Sequence, residues 1–207
     1  MADSSYDWFE PLYARANGDT AQVPWALPTA TVYLTNWLAQ NKIDGTGLAA
    51  VVVGCGLGDD AEALAAAGFM VTAFDVSASA IAWAKKRFPQ SAVDYVVADV
   101  FALPAGWLNR FDLVFDFRTI QALPLSVRAD VMGQIAALAK PGGTVLVITY
   151  LRDPEKILAD GPPWPLSMAE LTHFEDCGLS IVHKETFRQP ASRFADRIRI
   201  QYQAPYP

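Results

Sequence analysis

The chain is poor in the residues that staple or ligate. Its 207 residues include two cysteines, Cys55 and Cys177, and two histidines, His173 and His183. Two thiols without motif spacing build neither a disulfide framework nor a zinc-ligand set, so both cysteines are expected reduced and no metal is expected. No apolar run approaches the ~18–20 residues a membrane span needs. The start, Met1-Ala2-Asp3-Ser4-Ser5, has no basic or apolar leader region, so no signal peptide is expected and the cytoplasm is the natural setting. Basic charge is also scarce: 16 Lys and Arg against 22 Asp and Glu leave a net charge of −6, which argues against a nucleic-acid groove. What is abundant is apolar surface. Hydrophobic residues make up 52% of the chain, above what a disordered segment carries. A domain of this size buries roughly 70% of its unfolded surface without needing disulfides. The partner this leaves is a small molecule, met by a monomer, with a dimer allowed.

Strand and helix signals alternate along the chain. Ala30 to Ala39 reads as a helix, and Asp44-Gly45-Thr46-Gly47 as a turn. Leu48 to Val53 is a continuous apolar run, the pattern of a strand buried on both faces. Asp59 to Ala67 follows as a helix, with Gly68 at the C′ position that favours glycine. Phe69–Phe74, Val93–Val97, Phe111–Asp116 and Thr144–Tyr150 read as further strands. Ser77 can cap a helix that runs to Phe88 and is stopped by Pro89. Leu125–Ala139 is the next helix, and Lys140-Pro141-Gly142-Gly143 a tight turn into the fifth strand. Ser167-Met168-Ala169-Glu170 is a capping box for a helix expected to end at Gly178. Two β-like runs close the chain, Leu179–Phe187 and Arg197–Tyr202, with the link between them expected to loop over a sheet edge. Alternation of this kind predicts an α/β fold with a doubly wound, seven-stranded, mostly parallel sheet.

The most informative stretch is Val51-Val52-Val53-Gly54-Cys55-Gly56-Leu57-Gly58-Asp59-Asp60. A buried strand ends in glycines and a helix starts at once, which lets backbone turn tightly and approach a ligand. Asp75 follows about 20 residues later, where a strand-end carboxylate can reach the hydroxyls of a ribose. An acid in this place is expected to serve the ligand, because packing gives it no other reason. Two ligand classes remain open at this point, NAD and S-adenosylmethionine. A pyrophosphate would sit on the helix N-terminus, which here carries Asp59 and Asp60. Two carboxylates would repel it and suit a sulfonium. The loop is also one residue shorter than the dinucleotide fingerprint. The bland alternative is that the glycines close a turn and the aspartates cap a helix, which for Asp59 and Asp60 is the favoured reading.

The set of motifs resembles class I S-adenosylmethionine-dependent methyltransferases over about Val51 to Tyr150. Ala73-Phe74-Asp75-Val76-Ser77, Ala98-Asp99-Val100-Phe101, Phe111-Asp112-Leu113-Val114-Phe115-Asp116 and Ala139-Lys140-Pro141-Gly142-Gly143 carry the resemblance. A narrower likeness is to the thiopurine, thiol and halide methyltransferases, carried by Val23-Pro24-Trp25, Phe115-Asp116-Phe117 and Gly161-Pro162-Pro163-Trp164. The resemblance implies a Rossmann-like three-layer sandwich with helices on both sheet faces. It implies one domain over 1–207, with an N-terminal lid and helix over 1–46, a cofactor core over 47–150, and a C-terminal helix with antiparallel strands over 151–207. The cofactor would be S-adenosylmethionine, leaving as S-adenosylhomocysteine. Its contacts would come from Trp25, Gly54, Cys55, Gly56, Gly58, Asp75, Val76, Asp99, Val100, Phe101, Asp116 and Phe117. Two departures stand out: Arg118 occupies a position where that group tends to have an aromatic, and Val51–Val53 offer no acid toward the methionine amino group. Asp59, Asp116 or backbone carbonyls are left for that task.

The substrate side is expected at Arg118, Tyr13, Tyr150 and Trp164. Arg118 reads either as a clamp for a substrate carboxylate or as a structural partner of Asp116 or a nearby acid. Phe9, Tyr13, Trp25, Tyr150 and Trp164 are candidates for an aromatic lid. A soft acceptor such as a thiolate needs no protein base, whereas an oxygen acceptor needs one, with Asp116 and Tyr150 the candidates. His173 and His183 read as structural or surface residues and Cys55 as a small buried residue. Three functions remain in view: a small-molecule methyltransferase with sulfur or another soft acceptor, a non-catalytic S-adenosylmethionine-binding sensor or scaffold, and an NAD-dependent oxidoreductase.

Overall fold

The structure, a computed structural model, describes residues 8–153, 162–188 and 196–206. Met1–Ser5, Gly161 and most of the link between the last two strands lie outside the described residues. Seven strands form one sheet in the order β3 (Asp94–Val97), β2 (Met70–Asp75), β1 (Ala49–Val53), β4 (Phe111–Phe117), β5 (Ala139–Tyr150), β7 (Arg197–Gln203), β6 (Ser180–Phe187). The chain divides into two compact units, one ending at Ala102 and the other beginning at Leu103. Among the described residues no helix is long and apolar enough to cross a membrane.

The first unit opens with α1 (Phe9–Ala16) and α2 (Val32–Gln40), then alternates β1 (Ala49–Val53), α3 (Asp59–Ala66), β2 (Met70–Asp75), α4 (Ala78–Arg87) and β3 (Asp94–Val97). β1 and β2 pair in parallel, as do β2 and β3. The apolar run at β1 predicted burial on both faces, and Ala50 to Val53 are all buried. Each such valine contributes about 1.5–3 kcal/mol by leaving water. Ser77 caps α4 as predicted, its hydroxyl accepting the Ala80 N–H at 3.0 Å. Gly68 adopts φ +97° after α3, the left-handed geometry of a C′ glycine. α1 docks through a small cluster of Tyr13, Ala16, Val23, Leu57 and Ala80, with Leu12, Trp25, Ala26 and Trp83 packed against it.

The second unit holds β4 (Phe111–Phe117), α5 (Arg128–Leu138), β5 (Ala139–Tyr150), α6 (Met168–Leu171), α7 (His173–Asp176), β6 (Ser180–Phe187) and β7 (Arg197–Gln203). β4 and β5 run parallel, and β7 pairs antiparallel with both β5 and β6. Three local readings are corrected. Lys140–Gly143 is not a turn before the strand but an irregular segment within β5: Phe111 aligns with Ala139 while Leu113 aligns with Thr144. Gly142 N–H donates to the Pro205 carbonyl and Ala204 N–H to Gly143, so neighbouring backbone holds the segment in the sheet. The predicted helix from Leu125 starts as a 3-10 turn, and α5 proper begins at Arg128. The helix under the capping box breaks at Thr172 into two short pieces. The capping box itself is present, with Ser167 and Glu170 each accepting the other's backbone N–H. Fully buried Tyr202 anchors α6 by donating its hydroxyl to Leu171 and packs against Phe174 at 4.8 Å.

Candidate cofactor and substrate sites

The loop between β1 and α3 needs glycine at two positions for different reasons. Gly56 has φ +52°, and a Cβ there would lie 3.0 Å from the Tyr13 hydroxyl. Gly58 has φ +91°, and a Cβ there would overlap the Tyr95 ring. Both conformations strain any residue with a Cβ. Gly54 is also left-handed, and Cys55 N–H donates to the Phe74 carbonyl at the end of β2.

Asp75 ends β2, buried, with one oxygen accepting the Gly56 N–H and the other the Ser77 N–H, both at 2.9 Å. The expectation that this acid lacks a packing role is therefore corrected. It pins the second loop glycine to the first residue of the α4 cap. Burial pushes its carboxyl above the ordinary carboxylate value, against the two amide bonds that favour the ionised form. A carboxylate has about four acceptor positions, so two amides do not exhaust it.

The acidic start of α3 is also explained. Asp59 pairs with both terminal nitrogens of Arg87, at 2.5 and 2.8 Å, and Arg87 also donates to the Leu57 carbonyl. Asp60 accepts the Thr31 N–H at 2.7 Å. These carboxylates brace the scaffold, but not as the helix caps expected: the N-cap of α3 is Gly58 and no side chain caps it. Because Arg87 balances Asp59, the repulsion argument against a phosphate ligand is weaker than the bare sequence suggested. Asp59 is likewise committed elsewhere than to a cofactor amino group.

The loop is roofed by aromatics. Trp25 donates its indole N–H to the Tyr13 hydroxyl at 2.7 Å, and Trp8, Phe9 and Tyr13 each meet Trp25 edge to face. Tyr13, expected on the substrate side, is instead 3% exposed and sits over Gly56. Cys55 is half-buried, and burial raises its thiol, so it stays protonated near neutral pH. Asp99 accepts the Phe101 N–H at 2.9 Å, which closes the 3-10 turn Val100–Ala102. Val100 is buried and Phe101 half-buried. Beside Asp75, Val76 is 39% exposed. An acid with spare acceptor capacity beside exposed apolar surface fits an adenosine: hydroxyls for Asp75 and a ring for Val76 to cover.

In the second unit the carboxyl ends of β4 and β5 gather the other predicted residues. Asp116 is fully buried, and neither oxygen has a hydrogen-bond partner of good geometry. Burial pushes its carboxyl up to about 7, with the nearby Thr119 hydroxyl and the Thr119 and Ile120 amides pulling the other way. Arg118 takes a left-handed backbone, φ +74°, and lays its guanidinium over Phe117 at 4.4 Å. A non-glycine residue held there stores strain of order 1–3 kcal/mol, a pattern found at ligand sites.

A residue absent from the sequence expectations joins it. Arg197, at the start of β7, places its guanidinium 4.5 Å from the Tyr150 ring and 5.9 Å from the Phe117 ring. No local motif marks Arg197. Its place follows from the β5–β7 register, which sets Tyr150 opposite Arg197. Trp164 is half-buried and held through its backbone, its N–H donating to the Gln121 carbonyl and its carbonyl accepting from Arg128. Arg128 also pairs with Glu170, which pairs in turn with Arg152. The five candidate lid aromatics therefore fall into two sets, Phe9, Tyr13 and Trp25 in the first unit and Tyr150 and Trp164 in the second. His173 lies 3.4 Å from Asp176 on the surface, and His183 is exposed. Among the described residues no group of three or more His, Cys, Asp or Glu could hold a metal ion.

A glycine loop after β1 and an acid at the end of β2, in a seven-stranded sheet whose β7 alone runs antiparallel to its neighbours, give the Rossmann-like class I methyltransferase fold. Within that class, a family model described as thiopurine S-methyltransferase (TPMT) matches residues 18–198. The chain belongs to the thiopurine S-methyltransferase family. It is 34% identical over 125 residues to the ubiquinone biosynthesis O-methyltransferase of Azotobacter vinelandii, a match covering 59% of this chain and 53% of that protein. It is 31% identical over 112 residues to the thiopurine S-methyltransferase of Vibrio cholerae, covering 49% of each. The chain thus spans about half the length of these curated relatives. Its fold resembles that of the Burkholderia thailandensis 1,6-didemethyltoxoflavin-N1-methyltransferase, solved with bound 1,6-didemethyltoxoflavin and S-adenosylhomocysteine. The TM-score is 0.72 at 18% identity, covering 93% of this chain and 85% of that one.

Proposed function

We propose that this protein is an S-adenosylmethionine-dependent methyltransferase for a small, anionic acceptor, with sulfur or another soft atom as the reacting centre. The observation that carries the cofactor assignment is the junction at Asp75, which joins Gly56, Ser77 and exposed Val76 at one strand end. In this reading Gly54, Cys55, Gly56 and Gly58 offer backbone, Asp75 the ribose hydroxyl acceptor, and Val76, Asp99, Val100 and Phe101 the adenine side. Trp25 covers the cofactor from the N-terminal segment. Asp116 and Phe117 complete the set, Asp116 as a buried carboxylate that an ammonium group would satisfy. When bound, the cofactor supplies a methyl carbon already activated on a sulfonium.

The chain's own work is then to position the acceptor, exclude water and neutralise charge. Orientation of this kind supplies roughly 7–11 kcal/mol of a barrier. Arg118 and Arg197, two cations around Phe117 in a chain of net charge −6, favour an anionic acceptor. Tyr150 and Trp164 supply apolar wall. A thiol acceptor arrives partly as thiolate near neutral pH and needs no deprotonation in the transition state. An oxygen acceptor would need a base, and Asp116, at about 7 without a neighbouring cation, would be held as a carboxylate by the cofactor's ammonium group and so lose its affinity for a proton. That asymmetry supports the soft acceptor. Two free thiols, Cys55 and Cys177, support a reducing cytoplasm as the compartment.

The test is a panel of thiols, thiopurines, halides and small carboxylates incubated with the full chain and S-adenosylmethionine, reading S-adenosylhomocysteine formed. Turnover with a thiol or thiopurine is expected. Binding of the cofactor with no turnover across the panel would favour a non-catalytic sensor.

A further inference from the structure

The contact that fixes α1 on the first unit is a carboxylate reaching across most of that unit's sequence. Glu10 Oε2 accepts the Ser77 hydroxyl at 2.6 Å and the Ser79 N–H at 3.0 Å, while Oε1 accepts the Ser79 hydroxyl at 2.6 Å. These donors hold the Glu10 carboxyl below its usual range. Ser77 in turn gives its N–H to Asp75, and Asp75 takes the Gly56 N–H on its other oxygen. A continuous chain of hydrogen bonds therefore joins α1, the first turn of α4, the acid of β2 and the glycine loop. One turn along α1 from Glu10, the Tyr13 hydroxyl lies over Gly56 and receives the Trp25 indole N–H.

We propose that Glu10 is a positioning residue for cofactor binding: it seats α1 on the start of α4 and so sets the Tyr13–Trp25 roof above the glycine loop. The inference rests on the cofactor reading given above and adds to it a residue that touches neither cofactor nor acceptor. Its physical basis is the length of α1. Eight residues do not hold a helix in water by themselves. The seated fraction is therefore set by the small apolar cluster and by Glu10. A carboxylate against the first turn of a helix is favoured by the unpaired N–H groups and the dipole, and bonds to an ionised acceptor are stronger than neutral ones. Without Glu10, α1 leaves its seat part of the time. The roof is lost in that fraction, and apparent cofactor affinity falls with it.

Three proteins test this: the full chain, Glu10→Ala and Glu10→Gln. Hydrogen exchange of peptides covering 8–17 and 77–80, without ligand, reads the seating of α1. Calorimetry with S-adenosylhomocysteine reads affinity, and steady-state kinetics reads KM for S-adenosylmethionine against kcat. Glu10→Ala is expected to speed exchange in α1, to weaken S-adenosylhomocysteine by about tenfold, and to raise KM more than it lowers kcat. Glu10→Gln is expected to fall between, because its amide oxygen still accepts the Ser79 N–H and its amide N–H₂ can meet a hydroxyl. If Glu10→Ala does not fold, Ser79→Ala, which removes one hydroxyl and keeps the N–H, is expected to shift the same readouts less in the same direction. Unchanged α1 exchange in Glu10→Ala overturns the seating. Faster exchange with unchanged S-adenosylhomocysteine affinity overturns the link to the cofactor. No binding of S-adenosylhomocysteine by the full chain itself would sink the cofactor reading and this inference with it, whereas failure of the Glu10 variants alone leaves that reading standing.

Discussion

Replacing Asp116 by Asn should stabilise the protein at alkaline pH and leave it unchanged in acid. The carboxyl is fully buried without a well-formed hydrogen bond, and burial carries it from an ordinary 3.8 up to about 7. A raised folded-state value means that the folded protein binds the proton more tightly than the unfolded chain does. Below pH ~4 both states hold it and Asp116 contributes nothing. Between pH ~4 and ~7 the unfolded chain has released its proton while the folded one has not, so stability falls as pH rises. Above ~7 the full penalty is present. The gap between 3.8 and about 7 corresponds to at most about 4 kcal/mol at pH 8. Asn is nearly isosteric with the protonated acid and does not titrate, so the variant should escape this loss. In a chain of 207 residues each kcal/mol moves Tm by roughly 2–4 °C, giving a gain on the order of 10 °C at pH 8 and none at pH 4. Urea unfolding at both pH values checks this, with the slope m required to stay constant. Parallel stability curves for the two proteins across pH 4–8 would refute the reasoning. The same variant should bind S-adenosylmethionine more weakly, since a carboxylate that costs stability is explained by a cationic ligand group it serves.

Asp75→Asn should lose stability and affinity together. The amide keeps one acceptor but turns an N–H₂ toward the Gly56 or Ser77 N–H, an arrangement neither protonation state of Asp imposes. A cost of about 2 kcal/mol is expected, read as a Tm drop of roughly 4–8 °C, with weaker S-adenosylhomocysteine binding by calorimetry. Loss of binding with unaltered Tm would mean that the amide bonds hold nothing together. Arg118→Ala should raise KM for an anionic acceptor at least about tenfold while cofactor affinity stays within about twofold, as expected for one charge-assisted contact. Equal losses in both would remove Arg118 from the acceptor side.

The parts of the fold legible in the sequence were those set by neighbours in the chain. Ser77 and Ser167 cap helices because their partners sit three residues on. β1 announced itself because a strand buried on both faces has nothing polar to alternate with. Gly68 marked a helix end because only its local backbone had to turn. What stayed hidden depends on contacts across long stretches. Glu10 meets Ser77 and Ser79 67 and 69 positions away, and no pattern in residues 1–46 marks that contact. Arg197 reaches Phe117 through strand register, not spacing. Asp59 looked like a free negative charge because its partner, Arg87, lies 28 residues further on. Asp75 was placed correctly at the strand end, but its structural duty comes from two amides in loops whose paths only the fold defines. Residues 140–143 looked like a turn because Pro and Gly usually make one, and were drawn into β5 by hydrogen bonds from 204 and to 205. The distinction also governs the site. Glycine loop, strand-end acid and Asp99 are local and were visible, as were the lid aromatics and Arg118 as residues; the Tyr13–Trp25 contact over Gly56 and the place of Arg197 are tertiary and were not.

The central claim is that the glycine loop and Asp75 hold S-adenosylmethionine. Titration calorimetry of the full chain with S-adenosylhomocysteine, and separately with NAD, tests it most directly. One molecule of S-adenosylhomocysteine bound per chain, with no heat from NAD, is the predicted result. Saturable binding of NAD with no response to S-adenosylhomocysteine would contradict it.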